Sequence, residues 1–281
     1  MRCFFKQKGG PVGFALALAS ICLIFSPIQG QTILSQWEKG TLKLRLSPEM
    51  RDALEPAFPD LSRATQRLLA LIGQRPVDRP LVIWLLKNQD EQKSVLLQLG
   101  YDPTKFSGPA IRSNDQVLLI VKPGTPRDWL LRYILSEYAR YHLFSDTSED
   151  GMEWFRTGMA VSTGWFVQEE VEKGDWATSN AKLLQYYASR LKPDPELALE
   201  QLSKPGAWKK NLEKKDKGQM IARATLLYVW ATQKSGPGSG ASVLNFWTSE
   251  KDMAAALRRG ADISLDDLSR RLTDAEKIST H

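Results

Sequence analysis

The sequence predicts an α+β protein: a small mixed or antiparallel sheet with a few helices in its N-terminal part, followed by a mainly helical half. Three observations carry this. Segments of strand character end near residue 124. They are the alternating Thr41-Leu42-Lys43-Leu44-Arg45-Leu46-Ser47 and the continuous apolar runs Leu81 to Leu86 and Val117 to Val121. From Thr125 onward, apolar residues recur at helical spacing. The composition, 42% hydrophobic and 25% charged over 281 residues, is that of a globular chain and excludes a disordered or fibrous one.

Residues 1–30 stand apart. Arg2, Lys6 and Lys8 precede an apolar stretch from Pro11 to Phe25, and Ile28-Gln29-Gly30-Gln31 follows. This is the layout of a secretory signal with cleavage near Gly30. The expectation is therefore an exported protein, periplasmic or extracellular. If the segment is not cleaved the protein is membrane-anchored, although the apolar run is shorter than the roughly 20 residues of a spanning helix. Both cysteines, Cys3 and Cys22, lie in this segment. The mature chain thus has no disulfide, no Cys nucleophile and no Cys metal site. Three positive charges leave with the signal, so the formal +6 falls to about +3. That mild balance gives no argument for a nucleic-acid partner.

Residues 31–124 form the β-rich part. After the alternating strand, Ser47-Pro48-Glu49 is a helix start with a serine cap and proline at the first position. The helix breaks around Pro56 to Pro59 and resumes with Leu61, Ala64, Leu68, Leu69 and Leu71 inward; Gly73 closes it. Leu81 to Leu86 is apolar throughout, as expected for a central strand. Gln89 to Leu99 reads as a short helix, and Asn114-Asp115 divides a hairpin whose second strand is Val117 to Val121. The expected sheet has about four strands.

Residues 125–272 form the helical part. Thr125-Pro126-Arg127-Asp128 starts a helix that runs to about Phe144. Further helices are expected over Met152 to Gln168, Ala177 to Leu191, Glu196 to Leu202, Gly218 to Lys234, Ala241 to Trp247, Glu250 to Arg259 and Ser264 to Leu272. Residues 273–281 read as a frayed tail. Between residues 204 and 217 lie six lysines: Lys204, Lys209, Lys210, Lys214, Lys215 and Lys217. A solvated loop is the ordinary reading of such a run, and contact with an anionic envelope surface is the sharper one.

The chemistry concentrates on the helix after Thr125, at Ser136-Glu137-Tyr138-Ala139-Arg140, and on Trp154-Phe155-Arg156-Thr157-Gly158-Met159-Ala160 in the next helix. A zinc-peptidase helix reads His-Glu-x-x-His, with two imidazoles one turn apart on the metal and the Glu polarising water. Together with the order of strands and helices, these two segments resemble the gluzincin metallopeptidases. More narrowly they resemble the exported bacterial proteins grouped as peptidase MA-like. The resemblance spans roughly Thr41 to Leu272. It also draws on Gly108-Pro109-Ala110 and the Val117 to Val121 strand as matches to the edge strand beside the cleft, on Ala224, Leu227 and Tyr228, and on Ser264, Leu265 and Leu268.

Carried over residue by residue, the resemblance implies Glu137 as general base, Ser136 and Arg140 at the first two ligand positions, and Thr157 at the third. Only the base survives. A hydroxyl is a poor zinc ligand and a guanidinium cannot deprotonate to bind a cation. The chain has two histidines, His142 and His281, so a mainly imidazole site is excluded by inventory. No metal and no cofactor is expected. Arg140 is expected to pair with Glu137 and supply the charge that zinc would have supplied. Tyr138, Tyr141 and Trp154 are candidates to line the remaining cleft, with core packing the ordinary reading of Trp154. His142 lies five residues after Glu137, off its face, and reads as a partly buried or capping residue.

The functional expectation is a non-catalytic pseudo-metallopeptidase that binds a peptide, a protein or a wall component in the former substrate cleft. The alternative is a divergent metal-dependent hydrolase with Glu137 as base and a metal held by acids such as Asp146, Glu149, Asp150 or Glu153.

Overall fold

The computed structural model describes residues 34–73, 77–113, 115–144 and 150–278. The signal-like segment lies outside these residues. Strands β1 (Ser35–Lys39), β2 (Leu42–Leu46), β3 (Leu81–Leu86), β4 (Ala110–Ser113) and β5 (Gln116–Ile120) form one mixed sheet in the order β1-β2-β3-β5-β4. The two hairpins, β1–β2 and β4–β5, are antiparallel, and the inner pairs β2–β3 and β3–β5 are parallel. Parallel neighbours need a crossover. Helices α1 (Pro48–Leu54) and α2 (Phe58–Ile72) make the first, and α3 (Gln89–Gln98) with β4 lies between β3 and β5.

The sheet has one strand more than the sequence predicts. β1, Ser-Gln-Trp-Glu-Lys, has a single large apolar residue and is exposed along most of its length, so it shows no apolar alternation. Its place in the sheet is set by pairing with β2 and by Trp37, which stacks on Phe58 at 5.1 Å. The apolar run at β3 is the middle strand, as its composition requires.

The helical half comprises α4 (Arg127–Phe144), α5 (Glu153–Val171), α6 (Trp176–Ala188), α7 (Leu199–Leu202), α8 (Ala207–Lys214), α9 (Lys217–Thr232), α10 (Ser239–Glu250), α11 (Met253–Ala261) and α12 (Leu265–Ile278). One sheet face, including Leu42, Leu44, Ile83, Leu85, Val117 and Leu119, joins the main core with α2, α4, α5 and α9. The other face carries Leu86, Ile111 and Leu118 against Val95 and Leu96 of α3. Sheet and helical half thus share one core, and the change of character at residue 124 falls inside a single compact unit.

Helix α5 is the centre of the molecule, with 15 of its 19 residues buried. Two glycines let its neighbours approach. A Cβ on Gly164 would sit 2.5 Å from Ser136 Oγ on α4, and one on Gly158 would sit 2.1 Å from the Ala224 carbonyl oxygen on α9.

Two expectations about the C-terminal half are corrected. The lysine-rich stretch contains the helix α8, because Trp208 is buried on its inner side and ties it to the core. Lys204, Lys209, Lys210, Lys214 and Lys217 are exposed, whereas Lys215 is drawn between Asp194 (3.1 Å) and Glu196 (2.7 Å). Residues 273–278 continue α12 instead of fraying. Arg223 on α9 is wholly buried and donates to the Glu276 carboxylate, and a buried guanidinium holds its counter-charge in place.

Candidate functional site

Helix α4 presents Glu137 toward the edge strand β4. The carboxylate is 7% exposed and so has little access to water. Its main partner is Arg112 of β4. Nε of Arg112 donates to Oε2 at 2.8 Å and Nη2 donates to Oε1, a two-pronged pairing that fits a planar guanidinium to a carboxylate. Arg112 Nη2 also donates to the Tyr133 hydroxyl at 3.3 Å. The expected Arg140 contact exists, but as a lesser one: Arg140 Nε lies 3.4 Å from Oε2. Arg140 comes from the same helix, one turn on, and approaches the carboxylate with a single nitrogen. Arg112 reaches across from the sheet and engages both oxygens.

The protonation of this group follows from the pairing. Burial favours the neutral acid, yet the hydrogen bonds and charge of Arg112, then the charge of Arg140, hold the Glu137 carboxyl below the ordinary glutamate range. Arg112 behaves in the mirror sense: burial works against its charge and Glu137 more than restores it. Burial, then the Glu137 charge, raises the Tyr133 hydroxyl, so Tyr133 stays neutral at physiological pH.

Among the described residues no hydrogen bond or ion pair links Ser136, Tyr138, Tyr141, Trp154 or Thr157 to Glu137, whose polar partners are Arg112 and Arg140. Ser136 is half-buried and its hydroxyl lies against Gly164 of α5, at the tight α4–α5 crossing. Thr157 is buried in α5. Tyr138 is not a cleft residue: it is 2% exposed, and its hydroxyl meets Thr41 Oγ1 at 2.8 Å beneath the sheet. Trp154 is fully buried, edge-on to Phe155, so the core reading holds and the cleft reading does not. Both side chains leave α4 and α5 on faces turned to the core. Tyr141 stays near the surface, its hydroxyl donating to the Arg79 carbonyl at 3.1 Å. His142 is 3% exposed and accepts from the Val77 amide at 3.3 Å; burial holds its pKa down to about 4. It is a buried structural imidazole, as its spacing from Glu137 implies.

The proposed acidic ligands fare no better. Asp146 and Glu149 lie outside the described residues. Asp150 accepts from both terminal nitrogens of Arg156 at 2.7 Å, from Trp247 Nε1 at 3.0 Å and from the Met152 amide at 3.0 Å. Burial opposes its ionisation, but these donors hold its pKa down to about 2. Glu153 is 6% exposed and neither of its oxygens has a well-formed hydrogen bond among the described residues; burial, reinforced by the Asp150 charge, raises its pKa. Among the described residues no group of three or more His, Cys, Asp or Glu side chains is arranged to hold a metal ion. No helix among them is long and apolar enough to cross a membrane.

Arg112, the main partner of Glu137, stands outside the motif on α4, on the edge strand β4. Strand alternation contains the signal. Ile111 faces α3, so Arg112 faces the opposite way, onto the helical side. A cation turned toward a core layer calls for a buried carboxylate.

No known protein family matches the chain, and no curated protein matches it.

Proposed function

We propose that the chain is an exported, non-catalytic pseudo-metallopeptidase, a zincin-like scaffold without zinc chemistry that serves as a binding or scaffolding module in the cell envelope. The observation that carries this is the fate of Glu137. A general base needs a lone pair directed at water and a pKa near the working pH. Glu137 instead has both oxygens engaged by Arg112, a second guanidinium beside it, and a lowered pKa. The residues at the implied ligand positions do not fit zinc: Ser136, Arg140 and Thr157 offer no imidazole, thiolate or carboxylate. Arg112 and Arg140 provide the positive charge that a buried carboxylate requires, so the helix keeps its glutamate as part of an ion-pair cluster. The ligand is a peptide, protein or wall component at the α4–β4 face, and the exposed lysines around α8 offer a contact to an anionic envelope surface.

The test is metal content and turnover of the purified mature protein. After dialysis against zinc and then against buffer, elemental analysis should find far less than one zinc per chain. No chelator-sensitive cleavage of casein or of a fluorogenic peptide library should appear. Zinc near one per chain that is lost in Glu137→Ala, or turnover abolished by a chelator, favours the divergent hydrolase and overturns the proposal.

A further inference from the structure

We propose that the face of α4 running from Trp129 to Arg140 binds an extended peptide through a carboxylate, with Arg140 as the anion anchor. This rests on the non-catalytic reading of the same site and adds the class of ligand. Trp129, Tyr133, Glu137, Arg140 and Phe144 all lie on α4. At about 100° per residue they fall within an arc of about 80°, a single stripe along the helix.

Charge along this stripe is unbalanced. Arg112 spends its guanidinium on the two oxygens of Glu137 and on Tyr133. Arg140 offers Glu137 only its Nε, at 3.4 Å, and is 39% exposed. Its two terminal nitrogens have no acceptor among the described residues, so a planar pair of donors is open to a ligand. Among the described residues two guanidiniums face one carboxylate, leaving one positive charge. That surplus matches a monoanionic carboxylate better than a doubly charged phosphate. The ring of Phe144, 5.7 Å from Arg140 Cζ, supports the guanidinium from one side.

The other end of the stripe is apolar. Trp129 is 40% exposed and stacks on Tyr133 with ring centroids 5.6 Å apart and planes 19° from parallel. Among the described residues only Leu97 and Ile278 join it as exposed large hydrophobic side chains. From Trp129 to Arg140 the helix rises about 16 Å. Five residues of extended peptide span about the same length. A chain with an apolar side chain at one end and a free carboxyl at the other therefore fits both features at once.

A pool of synthetic pentapeptides tests this, with Phe, Tyr or Leu first and randomised interior positions. It is prepared once as free acids and once as C-terminal amides. Each pool is equilibrated with the immobilised mature protein at low salt, retained peptides are quantified by mass spectrometry, and the best are titrated by calorimetry. The free acids should bind at least about tenfold more tightly than their amides, as expected of a charge-assisted contact. Arg140→Gln should erase that ratio and Arg140→Lys should restore part of it. Trp129→Ser should weaken acid and amide alike. Thermal melts of the variants confirm that each is folded. Equal retention of acids and amides, no retention of either pool, or a ratio that survives Arg140→Gln overturns the proposal. The mass spectra also show whether the peptides are cleaved. Cleavage would refute the non-catalytic reading while leaving the carboxylate preference readable from the amide comparison.

Discussion

Replacing Arg112 by Gln should be among the most destabilising single changes at the α4–β4 face. Glu137 is 7% exposed, and Arg112 supplies the hydrogen bonds to both of its oxygens. Removing one partner of a buried ion pair costs about 3–5 kcal/mol, because an uncompensated charge stays buried. Two features lower that figure. Arg140 remains 3.4 Å from Oε2, and Arg112 is itself 33% exposed, so part of its pairing is screened. A cost of about 2–3 kcal/mol follows. For a chain of this size that is a fall in Tm of about 5–10 °C. Glu137→Gln should cost less, about 1 kcal/mol, since a third-exposed guanidinium regains water more easily than a buried carboxylate does.

The double variant Arg112→Gln/Glu137→Gln should lose less than the sum of the two singles, with a coupling of about 1–2 kcal/mol. Urea unfolding of all four proteins at pH 7, at constant slope, measures it. The pH dependence adds a second reading. Because the folded-state pKa of Glu137 is lowered, its contribution is complete above the ordinary glutamate value and is lost as pH falls through the depressed one. The single variants should therefore approach the parent in stability under acid conditions. Costs that add within about 0.3 kcal/mol at pH 7 would refute the reasoning, since Glu137 would then not depend on Arg112.

Glu153 has the opposite sign. Its pKa is raised, so its contribution is complete below the ordinary glutamate value and is lost as pH rises through the elevated one. Glu153→Gln should therefore stabilise the protein by about 1 kcal/mol at pH 8 and have little effect at pH 4; parallel melting profiles across that range would count against it. Gly164→Ala should cost about 1–3 kcal/mol, read by urea unfolding, because its Cβ would lie 2.5 Å from Ser136 Oγ and 2.7 Å from the Ser136 amide nitrogen. Adding Ser136→Gly should not rescue it, since the backbone clash remains. Truncation after Thr273 removes Glu276 from the wholly buried Arg223 and should cost about 3 kcal/mol; an unchanged Tm would show that α12 beyond Leu272 is dispensable.

The elements were legible where a local signal dictated them. Ser47 caps α1 by accepting from the Met50 amide, and Gly73 takes the left-handed conformation after α2. Apolar runs located the inner strands because both of their faces are covered. What failed locally depended on distant partners. β1 has no pattern of its own and is a strand because β2 pairs with it. α8 is anchored by one tryptophan among lysines, and the end of α12 is held by an arginine some fifty residues earlier. Periodicity within either segment contains none of that information.

The site divides along the same line. The motif on α4 identified the carboxylate and its neighbour Arg140, because residues three apart on a helix are close by construction. It could not identify Arg112, 25 residues earlier, whose approach depends on the β4–β5 register that places Arg112 opposite Val117 on the helical side of the sheet. The consequence changes the reading of Arg140. Had Arg140 been the sole counter-charge, it would be committed to Glu137 and the face would be electrically closed. With Arg112 holding both oxygens, Arg140 keeps a 3.4 Å contact to Glu137 and the Phe144 ring, and its two terminal nitrogens have no acceptor among the described residues. The same pairing that occupies both Glu137 oxygens thus leaves Arg140, 39% exposed, as the cation on which the proposed peptide contact depends.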